Sequence, residues 1–328
     1  MNTATGVKQD MRRKGGKFHP KNKGGKEKVR WKRYLPFYIM ALPALIYILI
    51  NNYIPMAGIV IAFKDYKVTK GIFGSDWCGL DNFKFLFSSP DALNITKNTI
   101  LYNLAFIVIG TVFAIFVAIL LSEVKRKVPR NIFQTLILLP YLVSIVVVAY
   151  LVYGFLSPST GYINTHILEA LGKEGISWYE EGKYWPFILV FVYIWKSFGY
   201  NSIIYVATIA GFDTTMYEAA AVDGATKWQQ IRYVTLPCLK PTVITLTLMS
   251  VGRIFFSDFG LFYQVTMNSG SLIDATSTID TYVFRGLMER GNIGMSAAAG
   301  FYQSLVGFVL ILAANGTVRR LSKENALF

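Results

Sequence analysis

The chain has 328 residues, 53% of them hydrophobic and 16% charged, with a mean hydropathy of +0.41. A soluble domain carries about a quarter charged residues, so this composition excludes an ordinary water-soluble globule. A net charge of +14 raises nucleic acid as a partner, but the way the charge is distributed argues for a different origin.

Residues 1–33 hold twelve Lys/Arg against Asp10 and Glu27 and bury no core; they are expected to form a disordered polybasic tail near anionic headgroups, outside any nucleic-acid role. From Tyr34 the chain turns apolar. A secretory signal has a shorter apolar core and a small-residue cleavage site. The run over 34–63 is too long and lacks that site, so it is read as an uncleaved first span. Five more runs follow, at 99–122, 131–157, 186–210, 242–264 and 296–318. Each is long enough for a ~30 Å hydrocarbon core, which takes about 20 helical residues. The runs are continuous rather than alternating, which selects helices over a barrel. The predicted fold is therefore all-α integral membrane: a tail over 1–33 and one six-helix domain over 34–328.

With the amino terminus inside, the inside segments hold 22 of the 33 Lys/Arg and the outside segments nine. This is the positive-inside bias, and it puts both termini and the segment 212–241 in the cytoplasm. Cys78 then lies outside and Cys238 inside, so they cannot pair, and His19 and His166 form no metal constellation. No G-x-x-x-x-G-K-[ST] phosphate loop is present, and the Lys-Gly-Gly-Lys repeats of the leader lack its spacing. A catalytic cluster is missing as well, so the chain reads as a conduit that needs an engine rather than an enzyme.

Residues 212–240 fit two short helices with a turn between them. Asp213 or Thr214 can cap the first, Ala219, Ala220 and Ala221 favour helix with a small profile, and Gly224 permits the turn. Pro237 and Pro241 are expected to end local structure before the fifth span. An alanine-faced helix projecting from a membrane suits insertion into a groove on another protein, with Glu218 as an anchor.

The order Glu218-Ala219-Ala220, Gly224, Leu236-Pro237, between the fourth and fifth spans, resembles the EAA loop of ABC-importer membrane subunits. Other strings point to the same type I importers, in the carbohydrate-uptake group related to maltose-transporter permeases, and within it to polysaccharide and oligosaccharide permeases of the LplB kind. They are Asn52-Tyr53-Ile54-Pro55, Gly58 to Phe63, Gly79-Leu80-Asp81-Asn82-Phe83, Asn98-Thr99, Ile194-Trp195-Lys196 and Tyr200-Asn201. The resemblance covers roughly 34–320 and implies a multi-pass subunit of the bacterial cytoplasmic membrane. It also implies a second homologous permease, two ATPase subunits gripping the EAA loops, and an extracytoplasmic solute-binding (lipo)protein that delivers an oligosaccharide. ATP and Mg²⁺ would be bound by the partner ATPases, with no cofactor in this chain. The coupling residues fall on Glu218, Ala219, Ala220, Asp223, Gly224 and Ala225, and Val234 stands where the pattern has isoleucine.

Charges inside a span face a cavity or a partner. Lys196 lies in the fourth predicted span and Arg253 in the fifth, both ~15 Å deep at 1.5 Å per residue. Asp258, five residues from Arg253, would stand about 140° around a continuous helix and could not pair with it. The cations would contact substrate hydroxyls or carboxylates, or an acid on the sister permease; alternatively they bond backbone carbonyls near Gly199 and Gly252. Tyr193, Trp195, Tyr200, Phe255, Phe256 and Phe259 crowd the same two spans and offer aromatic faces to a sugar. The segment 276–290 has apolar residues spaced for a short amphipathic helix at the outer mouth, where it could touch the solute-binding protein or fill a gap between helices. The rival reading is an ion-gradient-driven secondary transporter of a small polar solute, which would favour more spans, inverted repeats and membrane carboxylates.

Overall fold

The computed structural model describes residues 31–84, 90–289 and 291–321; of the predicted tail, only residues 31–33 lie among them. The chain divides into two units, Met1–Ile54 and Pro55–Phe328. In the first, helix α1 (Trp31–Ile48) contains Pro36 and Pro43 and continues into a π turn, Leu49–Tyr53.

The second unit opens with a 3-10 run, Ala57–Phe63, and a small antiparallel pair of β1 (Lys64–Asp65) and β2 (Asp76–Trp77). The Gly79-to-Phe83 string locks this region. Gly79 takes φ +63°, a left-handed conformation open to glycine. Asn82 Nδ2 then donates to the carbonyls of Ala62 and Lys64 at 3.0 and 2.9 Å. Phe83 packs edge-on to Phe301 at 6.0 Å, which closes the corner onto the last helix.

Helices α2 (Pro90–Glu123), α3 (Lys127–Leu142), α4 (Ile145–Leu156) and α5 (Trp185–Ala210) come next. They are succeeded by α6 (Thr214–Val222), α7 (Lys227–Gln230), α8 (Leu236–Val251), α9 (Ile279–Met288) and α10 (Ile293–Leu321). Helices α2 and α5 pack along their length. Phe106 stacks on Tyr193 at 3.9 Å, beside the fully buried Trp185, Leu189 and Phe262.

Among the described residues, five helical stretches are long and apolar enough to cross a membrane, or six if the bent pair α3–α4 forms one span. Three expectations need correction. The predicted third span, 131–157, is not one helix: α3 and α4 meet at 89° across Val143–Ser144. Pro140 sits in the last turn of α3, and Ser144 restarts the chain by accepting from Val146 N–H at 3.3 Å. The predicted fifth span, 242–264, also breaks. Helix α8 ends at Val251, residues 252–258 are non-helical, and a π turn spans Leu261–Val265. Pro237 and Pro241, by contrast, end nothing: helical structure runs from Lys227 to Val251. A π turn over Ile231–Thr235 precedes Pro237, whose missing N–H costs little at the start of α8.

Candidate functional site

The two breaks face one cavity, and the chemistry of each arises from the need to satisfy backbone groups that a helix would have paired. At the first, the Lys196 ammonium on α5 donates to the carbonyls of Val143 at 2.6 Å, Tyr141 at 3.0 Å and Pro140 at 3.5 Å. It thereby caps the C-terminal end of α3, where a cation also meets the negative end of the helix dipole. Two neighbours on α5 serve the same junction. Tyr200 stacks on Tyr141 at 4.3 Å and 8°. Gly199 lets the backbones touch, since a Cβ there would stand 1.8 Å from the Ile137 carbonyl oxygen. Lys196 thus bonds backbone carbonyls, but on α3 rather than near Gly199 or Gly252.

At the second break, residues 252–258 are held by two helices, α9 and α10. A Cβ on Gly252 would stand 2.7 Å from Ile311 Cδ1 on α10. Gln303 of the same helix donates to the Phe255 carbonyl at 2.8 Å. The Asp280 carboxylate, at the start of α9, accepts from both the Ser257 N–H and the Ser257 hydroxyl at 2.7 Å. Asp258 caps the helical turn beyond the break, its Oδ1 accepting from Leu261 N–H at 3.1 Å. The expectation of Arg253 and Asp258 on one continuous helix, about 140° apart, is overturned by this non-helical stretch. Segment 276–290 does contain a short helix, α9, with Ile279 buried against Ile95, Phe255 and Ala299.

Between the breaks lies a cavity of about 720 Å³ lined by α2, α3, α5, α8 and the 252–261 stretch. Lys196, Arg253, Asp258, Tyr193, Tyr200 and Phe256 all border it. Of the six aromatics that crowd the two spans in sequence, Trp195, Phe255 and Phe259 lie elsewhere: Phe255 is core, and Phe259 stacks on Tyr263 at 5.0 Å. Sequence reasoning missed the polar lining contributed by Asn103, Asn201 and Ser250, along with Tyr141. Amides within an apolar run were the available signal. Among the described residues, no group of three or more His, Cys, Asp or Glu could hold a metal ion.

The segment 212–241 presents a second feature. Asp213 caps α6 by accepting from Thr215 N–H at 2.9 Å, and that bond holds its carboxyl below the usual aspartate range. At the other end Ala225 N–H reaches the Ala220 carbonyl at 2.9 Å and Gly224 N–H the Ala221 carbonyl at 3.1 Å, with Gly224 at φ +78°. This is the Schellman pattern, which needs a residue free of Cβ strain at Gly224. Thr226 and Gln229 then form a reciprocal capping box that starts α7. Tyr217 and Thr235 hydroxyls meet at 3.0 Å and tie α6 to the π turn that follows α7. Backbone needs are thus met within the segment, while Glu218, Ala219, Asp223 and Gly224 are exposed, as are Val222 and Trp228 at 87% and 67%. Ala220 and Ala225 are half-buried.

Membrane-length helices with a cavity of mixed polar and aromatic lining between broken segments, and a short exposed helix with its own caps, define a membrane transport subunit. Residues 110–323 match the family described as "Binding-protein-dependent transport system inner membrane component", and the chain belongs to it. It is 34% identical over 294 residues to the Protein LplB of Bacillus subtilis (strain 168), covering 89% of this chain and 91% of that protein. It is 32% identical over 293 residues to the polygalacturonan/rhamnogalacturonan transport system permease protein YteP of the same organism, covering 89% and 90%. Similarity extends to the sn-glycerol-3-phosphate transport system permease protein UgpA of Escherichia coli O6:K15:H31 (strain 536 / UPEC), at 30% over 280 residues, covering 85% and 91%. Among solved structures, a chain of a bacterial ABC transporter involved in the import of the acidic polysaccharide alginate superimposes with a TM-score of 0.80 at 34% identity, covering 89% of this chain and 97% of that one. The protein is a permease subunit of an ATP-driven ABC importer, a multi-pass transport protein and not an enzyme.

Proposed function

We propose that the chain forms half of the translocation pathway of an oligosaccharide importer. It crosses the cytoplasmic membrane six times, with α3–α4 as one broken span and both termini inside. The observation that carries the saccharide reading is the cavity. Its volume of about 720 Å³ falls in the usual range for small-molecule sites. It offers what a sugar needs: aromatic faces at Tyr193, Tyr200 and Phe256, and amide or hydroxyl groups at Asn103, Asn201 and Ser250. The names of YteP and of the alginate transporter support the same class.

Coupling is assigned to α6 and the turn after it. Glu218, Ala219, Ala220, Asp223, Gly224 and Ala225 present a short helix whose backbone needs are met internally, beside the exposed Val222 and Trp228. Such a helix suits a groove on an ATPase subunit, two of which would serve this chain and a second homologous permease. An extracytoplasmic solute-binding protein would deliver the sugar, and lipid would surround the bundle. A pull-down of the tagged, detergent-solubilised protein tests this reading against Glu218→Arg and Gly224→Asp. Recovery of an ATPase and a second permease from the native chain, with the ATPase lost in both variants, is the expected result. A native chain that purifies alone and transports in proteoliposomes without ATP would refute it.

A further inference from the structure

Three charged side chains border the cavity, and two of them are committed to the scaffold. The Lys196 ammonium is taken by the carbonyls of Val143, Tyr141 and Pro140, and the Asp258 carboxylate caps Leu261. The third is Arg253. It is exposed, it sits just beyond the end of α8, and among the described residues its guanidinium has no hydrogen bond, ion pair or ring contact. Asp258 stands five residues on, yet no ion pair within 4.0 Å joins the two among the described residues.

Resting on the saccharide reading above, we infer that Arg253 is a specificity-determining residue that receives the carboxylate of an acidic sugar, a uronate, in the cavity. An unpartnered cation within a membrane bundle is costly, and a neutral sugar does not require one. The Asn201 amide and the side-chain oxygens of Asn103 and Ser250 already supply neutral groups, although Asn103 Nδ2 and the Ser250 hydroxyl also donate to the Thr99 and Leu246 carbonyls. A guanidinium adds a planar fork that matches a carboxylate in two parallel hydrogen bonds. Phe256, three residues on, and Tyr193 and Tyr200 of the same cavity lining offer ring faces for the apolar side of the pyranose. The non-helical backbone over 252–258 releases Arg253 from the helix surface. It is held by Gln303 and Asp280, so the fork is presented from a fixed support.

The test uses the purified importer complex, nucleotide-free and without its solute-binding protein, so that the membrane site alone discriminates. The probes are an oligogalacturonide tetrasaccharide and its carboxyl-reduced counterpart, which differ only in the acid group. The native complex should prefer the uronate by about 10- to 100-fold, as expected for a charged, two-point hydrogen bond. Arg253→Gln should abolish that preference while leaving affinity for the reduced sugar within about twofold, and Arg253→Lys should restore part of it. Equal affinity for both sugars in the native complex overturns the inference and leaves the saccharide reading standing. Equal loss of both in Arg253→Gln, or a preference that survives it, also overturns the inference. Release of the second permease by Arg253→Gln would overturn it too, by showing that the guanidinium belongs to an acid on that subunit. Binding of neither sugar to the native complex sinks both readings.

Discussion

Replacing Lys196 with methionine removes the ammonium that caps α3 and stands 5.7 Å from the centre of the Tyr141 ring. The contacts at 2.6 and 3.0 Å carry the effect; at 3.5 Å the Pro140 carbonyl is a weak partner and also accepts from Val143 N–H. Hydrogen bonds to a charged group contribute ~1.5–3 kcal/mol each, whereas interhelical hydrogen bonds measured in membranes average ~0.6 and reach ~1.7 kcal/mol. Two charge-assisted bonds toward the upper membrane value give roughly 2–4 kcal/mol. With an unfolding entropy of about 2.1 cal/mol/K per residue, a chain of this length shifts by about 1.5 °C per kcal/mol, so the fall in melting temperature is on the order of 3–6 °C. The assay is thermal loss of the monodisperse peak of the detergent-solubilised protein without any sugar present. Substrate is absent, so a residue that acted through substrate alone would leave melting unchanged. Lys196→Arg, which keeps donors at the same place, should recover most of the loss. A Lys196→Met protein melting within about 2 °C of the native one, with normal uptake, would refute the capping role.

Gly199→Ala should be more severe, because its Cβ would stand 1.8 Å from the Ile137 carbonyl oxygen, and backbone cannot yield as a side-chain tip does. Loss of folded protein at ordinary expression temperature is the expected outcome, checked by size exclusion. Asp280→Ala orphans the Ser257 N–H, while the Ser257 hydroxyl keeps Thr278 Oγ1 at 2.7 Å, and should cost ~1–3 kcal/mol, with Ser257→Ala milder; both are read by melting and by uptake. Asp213 titrates with a folded pKa below its ordinary 3.8, chiefly because the Thr215 backbone N–H favours its charged form. Its cap is therefore complete above the unfolded-state value and is lost as pH falls through the lower folded value. Hydrogen exchange at Thr215 and Met216, corrected for intrinsic rate, should accelerate only below about pH 4, and in Asp213→Ala at every pH. Gly224→Val forces a β-branched residue to φ +78° and should disorder the turn after α6, reducing ATPase recovery in a pull-down without changing the amount of folded permease.

The sequence marked the membrane-crossing stretches well where the apolar run and the helix coincide. The fourth run, 186–210, is α5 at Trp185–Ala210, and the sixth, 296–318, lies inside α10 at Ile293–Leu321. It failed on continuity. Hydropathy reports how long a run stays apolar, and the 131–157 and 242–264 runs stay apolar straight through their breaks. Local signals were present: Pro140 with Ser144 in one, Gly252 with Ser257 and Asp258 in the other. Reading them as breaks required partners that proximity in sequence does not reveal. Lys196 lies 53 residues from Val143, Gln303 48 from Phe255, and Asp280 23 from Ser257. The cations were conspicuous because ionisable residues are rare in apolar runs. Their division of labour was invisible, because it depends on which carbonyls a break in another helix leaves free.

That division orders the whole site. In lipid a broken helix survives only where other groups take up its freed backbone donors and acceptors, so part of the polar lining of any such cavity belongs to the scaffold. Lys196, Asp258, Ser257 and Gln303 are all spent in this way. Among the described residues, the guanidinium of Arg253 is left without a bond in the lining it shares with Phe256 and Tyr200. The segment 212–241 obeys the same logic. Asp213, Gly224, Thr226 and Gln229 satisfy its backbone, leaving the exposed Glu218, Val222 and Trp228 for another surface. Substitutions at the spent residues should register first as instability, even in isolated, substrate-free protein. Substitutions at Arg253 or Glu218 should register first as lost recognition in a protein that melts normally. Melting and binding measured side by side across both sets would separate the scaffold from the working groups, and a variant of Arg253 that melts low would place it with the scaffold.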